Sequence, residues 1–183
     1  MSETVAIDAT ALRTADEIQQ VFQCQQQHHQ VVARTTARER IAKLWRLHDA
    51  MLQYRNDIKA AMFADFGKSS TEVDITEIGV VNTEIRHTIR RLASWMTPKR
   101  VGMPLMLFGT ASEIRYEPKG VCLILSPWNF PFNLSFAPLI SAVAAGNCVI
   151  LKPSEFTPHS SALMKKIIAQ CFPPEEVALF EGS

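Results

Sequence analysis

Two short stretches of this 183-residue chain combine residue types that could act on a small molecule. The first is Ser126-Pro127-Trp128-Asn129, followed by Phe130-Pro131. Prolines fix φ and stiffen the loop, so the Asn129 amide is held in one place. A held N–H in an apolar pocket donates well toward a developing oxyanion. Asparagine equally often satisfies the backbone of its own turn, and spacing alone leaves both roles open. The second stretch is Lys152-Pro153-Ser154-Glu155. A carboxylate at a strand end accepts hydrogen bonds from ribose hydroxyls, and a lysine donates to them. The same two residues would also serve as a surface ion pair capping the next helix. No glycine lies between Gly120 and Gly146, so the G-x-G-x-x-G pyrophosphate fingerprint is absent here.

Other reactive residue types point away from chemistry. Cys24, Cys122, Cys148 and Cys171 form no C-x-x-C pair and have no histidine cluster beside them. That argues against a metal site or a disulfide framework and for a reducing compartment. Cys122 and Cys148 lie in apolar runs, where cysteine behaves as a small hydrophobe, and no cysteine is flanked by a basic residue that would activate it. His28 and His29 are adjacent, and neighbours on a helix point about 100° apart, which does not suit a shared ion. The glutamine-rich stretch 19–30 around them reads as a solvated helical face. With 19 basic and 18 acidic residues the net charge is +1, which gives no electrostatic case for nucleic acid or an anionic membrane. Residues 1–10 lack the basic start and apolar run of a secretory leader. The longest apolar candidate, 134–149, is broken by Pro138, Gly146 and Asn147, so no membrane span is expected. A cytoplasmic protein with one domain, or one and a fraction, is the expectation.

The elements that position the two loops follow from periodicity. Ile41, Leu44, Leu47, Met51, Tyr54, Ile58 and Met62 recur at three- and four-residue steps and predict one helix, ended by Gly67. Ile75, Ile78, Val81, Ile85, Ile89, Leu92 and Met96 predict a second, with caps among Ser69, Ser70 and Thr71 and an end at Pro98. Trp45 and Trp95 are expected as core or interface anchors. From Glu113 to Glu117 the alternation predicts a strand, with Ile114 and Tyr116 on one face, and Pro118-Lys119-Gly120 a turn. The unbroken apolar run 121–125 predicts a strand buried on both faces of a parallel sheet. A helix over 135–145, a strand over 148–151, a helix from Thr157-Pro158 to Cys171 and a strand over 177–180 complete the pattern. Strand, helix, strand, helix, strand is the sign of a doubly wound α/β domain, whose ligands bind beyond the carboxyl ends of the strands. The fold class expected is therefore α/β, with a helical lead-in over 1–112 and the start of a dinucleotide-binding domain over 113–183.

Pro118-Lys119-Gly120-Val121, Ser126-Pro127-Trp128-Asn129-Phe130-Pro131, Ala145-Gly146-Asn147 and Leu151-Lys152-Pro153-Ser154-Glu155 together closely resemble the aldehyde dehydrogenase superfamily. The Phe132-Asn133-Leu134 continuation looks most like its class 3, fatty-aldehyde and coniferyl-aldehyde branch, and Phe66-Gly67-Lys68 fits as well. The resemblance implies NAD(P)-dependent oxidation of an aldehyde to a carboxylic acid by a cysteine nucleophile, with a glutamate activating water. It implies Asn129 as the oxyanion donor, Lys152 and Glu155 as the pair on the adenosine ribose, and Ser126, Pro127 and Trp128 as lining of the cofactor cleft. Glu155 favours NAD, while Lys152 keeps NADP open. A homodimer is implied for the full-length form. The resemblance covers essentially all of these residues but well under half of a family member. The family's pyrophosphate-binding turn, its Glu-Leu-Gly-Gly segment and its nucleophilic cysteine match nothing in the 183 residues. The expectation is thus a partial enzyme, inactive alone and poorly soluble, with an open sheet edge and a helix-free face. The alternative is a short interaction partner of a full-length relative.

Overall fold

The computed structural model describes residues 9–102 and 104–182, with side chains from residue 15 onward. Residues 1–8, on which the leader reading mainly rests, lie outside the described residues. The amino-terminal half is helical: α1 (Ala9–Ala33), α2 (Ala37–Gln53), α3 (Arg55–Phe66), α4 (Ser70–Val73), a π-helical turn (Asp74–Gly79) and α5 (Val80–Trp95). Two short strands, β1 (Lys99–Arg100) and β2 (Glu113–Ile114), pair antiparallel. Then come β3 (Val121–Leu125), α6 (Pro131–Ala145), β4 (Cys148–Lys152), α7 (Pro158–Cys171) and β5 (Val177–Leu179). The last three strands form a parallel sheet in the order β3-β4-β5. A helical region leading into a parallel sheet is the α/β class expected.

The predicted first helix is two. Thr36 opens α2 through a capping box, its hydroxyl accepting from the Glu39 N–H while the Glu39 carboxylate accepts from the Thr36 N–H. The helix then breaks at Tyr54, whose hydroxyl donates to Gln170 Oε1 at 2.8 Å. The apolar stripe crosses the break, because Leu44, Leu47, Met51, Tyr54, Ile58 and Met62 are all buried. Burial of each such side chain contributes about 1.5–3 kcal/mol.

The second stripe also departs from a single α-helical period. Ile75 is 66% exposed and Val73 is buried in its stead. A π turn carries an extra residue and shifts the phase of everything before it. Gly79 permits that turn, since a Cβ there would lie 2.7 Å from the Asp74 carbonyl oxygen. Trp45 and Trp95 are both partly exposed and so are not core anchors. The strand expected over 113–117 is only two residues long, and Tyr116 stands exposed beyond it.

Register explains the sheet's two faces. Cys122, Ile124, Val149, Leu151, Val177 and Leu179 share one face and join the core with α6 and α7. Val121, Leu123, Leu125, Cys148, Ile150 and Ala178 share the other. There α1 contacts both β3 and β4, so this face is not helix-free. The Gln25 carboxamide donates to the carbonyls of Val149 and Pro174, both at 3.0 Å, and His29 packs beside Gly120. Gln25 is fully buried, so the glutamine-rich stretch is not wholly solvated. The cover ends before the carboxyl half of β3. Leu123 is 64% exposed and Leu125 67%, and among the described residues β3 has a strand neighbour, β4, on one side. Among the described residues, no helix is long and apolar enough to cross a membrane.

Candidate functional site

The two loops that the sequence singles out lie side by side. The Ser126 N–H, the first beyond β3, donates to the Lys152 carbonyl at the end of β4, at 3.1 Å. Parallel pairing with no register slip fixes this juxtaposition, since Leu125 stands opposite Lys152. The starts of the strands are tied as well. Asn147 Oδ1 accepts from the Gly120 N–H at 2.9 Å. Gly146 closes α6 with φ of +87°, and a Cβ there would meet the Arg40 guanidinium at 2.5 Å. Only glycine fits both the left-handed backbone and the close approach.

In the first loop, Ser126 is buried and its hydroxyl has no hydrogen-bond partner among the described residues. Pro127 and Trp128 are exposed, and the Trp128 ring lies 6.5 Å from the Phe66 ring. Asn129 is exposed and its carboxamide makes no hydrogen bond among the described residues, so it does not satisfy its own turn. Its carbonyl oxygen instead accepts from Lys68 Nζ at 3.0 Å.

In the second loop, Lys152 Nζ donates to Glu155 Oε2 at 2.8 Å. This contact holds the Glu155 carboxyl below the usual carboxylate range. The pair does not cap α7. That role belongs to Asp65, whose carboxylate accepts from the N–H groups of His159 at 3.1 Å and Ser160 at 2.8 Å. Ser154 fixes the loop from within, its carbonyl accepting from Thr157 and Ser161 and its hydroxyl from the Phe156 N–H.

The structure adds residues that sequence reasoning passed over. Glu77 is fully buried in the π turn. Its Oε1 accepts from Lys68 Nζ at 3.1 Å and its Oε2 from the Asn133 N–H at 2.9 Å. Burial pushes this carboxyl above the usual range, and the Asn133 N–H and Lys68 pull it back. Lys68 Nζ also sits 4.0 Å from the centre of the Phe130 ring. A signal was present: Glu77 stands four residues from Val73 and from Val81, both buried, so a carboxylate occupies a core position of an apolar stripe.

The thiols are elsewhere. Cys148 opens β4, at the opposite end from Lys152, and Cys171 closes α7. Burial pushes both up to about 11, and Cys122 is raised too.

Comparison with known proteins follows the same outline. The profile described as the aldehyde dehydrogenase family matches residues 2–183. The putative aldehyde dehydrogenase AldX of Bacillus subtilis (strain 168) is 41% identical over 167 residues, 91% of this chain and 37% of the relative. A probable coniferyl aldehyde dehydrogenase of Caulobacter vibrioides is 40% identical over 166 residues, 88% of this chain and 34% of the relative. Aldehyde dehydrogenase family 3 member H1 of Arabidopsis thaliana is 38% identical over 79% of this chain. Among solved structures, the substrate-bound state of Staphylococcus aureus AldH superposes with a TM-score of 0.88 at 37% identity, covering 91% of this chain and 36% of that one. The chain spans about a third of the length of the curated relatives it matches.

Proposed function

This chain belongs to the aldehyde dehydrogenase family, and from that premise we propose that its paired loops serve the NAD(P)-dependent oxidation of an aldehyde to a carboxylic acid. The carrying observation is the state of Asn129: its backbone is held by Lys68 while its carboxamide is exposed and unpartnered. In this reading the carboxamide N–H donates to the aldehyde oxygen as that oxygen takes up negative charge. A donor fixed before reaction needs no reorganisation at the moment of reaction.

The residues present fit a dinucleotide. The buried, unpartnered Ser126 hydroxyl, the uncovered Leu123 and Leu125 and the Lys152–Glu155 pair adjoin the carboxyl ends of β3 and β4. That is where sheets of this kind take ligands. Lys152 and Glu155 would hold the adenosine ribose hydroxyls, with Ser126, Pro127 and Trp128 lining the cleft. The bound nicotinamide supplies the hydride acceptor. The ionised Glu155 favours NAD over the additional phosphate of NADP, because like charges repel.

The domain division is part of the same reading, with 1–112 as the helical lead-in and 113–183 as the start of the cofactor-binding domain. So are an aldehyde of the small-molecule class as substrate, a homodimer of the full-length form and a cytoplasmic location. Residues 1–183 by themselves are inactive in this reading, since Cys148 and Cys171 are buried thiols held protonated at neutral pH and Cys24 and Cys122 stand on α1 and β3 outside the two loops. The test is aldehyde-dependent reduction of NAD by the complete protein that carries these residues. Asn129→Ala is expected to lower kcat about 100-fold, the usual cost of losing one oxyanion donor, with the KM for NAD little changed. An unaltered kcat would remove Asn129 from the chemistry.

A further inference from the structure

We propose that Lys68 and Glu77 are positioning residues that grip the loop on both sides of Phe130 and so present the Asn129 carboxamide. The inference rests on the oxyanion reading of Asn129 and extends it to residues that touch neither substrate nor cofactor. Lys68 is nearly buried, with 14% of its side chain exposed, and Glu77 is wholly buried. The pair takes hold on both sides of Phe130: Lys68 at the Asn129 carbonyl in the loop, Glu77 at the Asn133 N–H in the first turn of α6. Between them the ammonium lies against the Phe130 ring. The Asn133 carboxamide completes the hold by donating to the Thr76 carbonyl at 3.2 Å.

Two features favour positioning over plain stabilisation. A buried ion pair is a poor source of stability, because desolvation offsets its attraction, and apolar replacements are often no worse. The contact at residue 129 is also made to the main-chain oxygen. The loop is fixed there while its side-chain amide stays free to meet a ligand. Misplacement of a reacting group by about 1 Å costs on the order of 100-fold in rate, so loosening this grip should cost kcat.

The experiment uses the complete protein and three changes: Asn129→Ala, the paired Lys68→Met/Glu77→Gln, and all three together. The paired change avoids leaving a lone buried carboxylate, which by itself would threaten folding. The clamp variant is expected to lose about 100-fold in kcat with the KM for NAD unchanged. Adding Asn129→Ala should then cost little more, since both changes disable one donor. Lys68→Arg alone should keep most of the activity. Losses that multiply, or an Lys68→Arg variant as poor as the clamp variant, would overturn the proposal. Amide exchange supplies a readout independent of turnover: the Asn133 N–H that donates to Glu77 should exchange about tenfold faster in the clamp variant while β4 is unchanged. Unchanged exchange at Asn133 also overturns it. Absence of aldehyde oxidation, or a harmless Asn129→Ala, instead sinks the oxyanion reading. The exchange result then decides whether the grip itself exists.

Discussion

Single residues divide into those whose partners are near in sequence and those whose partners are far. The Lys152–Glu155 contact spans three residues, and its two members were legible as a pair. If Glu155 faces the ribose, Glu155→Gln removes a repulsion against the NADP phosphate. The ratio of kcat/KM for NADP to that for NAD should then rise about tenfold, and an unchanged ratio would place the carboxylate away from the ribose. The Glu77–Asn133 contact spans 56 residues and the Gln25–Pro174 contact 149. No periodicity or local spacing encodes such pairs. Arg40 is of the same kind, its guanidinium buried between the carbonyls of Ala33 and Ala144. A charged residue on an apolar helix face was the only sequence sign of either Glu77 or Arg40.

At the level of elements, the amino-terminal helices were legible as apolar stripes but not as separate pieces. A stripe persists through the break at Tyr54 because the chain bends without changing which side is buried. The π turn is harder to foresee, since one added residue exposes Ile75 and buries Val73 with no local composition change. That turn is tied to α3 by Asp74, whose carboxylate accepts from Arg55 at 2.8 Å and pairs with Lys59 at 2.6 Å. The two cations hold its pKa at about 2, below the ordinary 3.8. A carboxylate with a depressed folded pKa contributes stability above its ordinary value and loses it as pH falls through the folded one. Melting temperature should therefore decline between pH 4 and 2 more steeply in the native chain than in Asp74→Asn. Parallel acid limbs would show that the contact is too exposed to matter. The strands and helices of the parallel sheet were the most legible elements. Continuous apolar runs and the Gly146-Asn147 and Thr157-Pro158 boundaries mark them directly.

For the whole molecule, the pattern of strands gave the sheet but not its cover. The apolar run 121–125 does not reveal which of its side chains the described elements cover, because burial is set by neighbours and not by the run itself. Leu123 and Leu125 are uncovered, and Leu105, Met106 and Phe108 stand out at the far end of the β1–β2 pair, Met106 at 97% exposure. Apolar surface of this kind drives association. Residues 1–183 expressed alone should elute above monomer size in size-exclusion chromatography and shift toward monomer on Leu123→Lys with Leu125→Lys. A monomeric peak for the unaltered chain would mean that these side chains are tolerated in water.

The docking of α1 also carries a consequence in time. The helix leaves the ribosome before any strand of the parallel sheet, yet the carbonyls that receive Gln25 belong to residues made 124 and 149 positions later. At about 5–20 residues per second, that interval is roughly 7–30 s. During it the growing chain carries residues 9–33 without the two carbonyls that receive Gln25. A carboxamide at the anchoring position is soluble while it waits, whereas a leucine there would invite premature contacts. The glutamine-rich composition of α1 thus suits a segment that is synthesised before the sheet on which it docks.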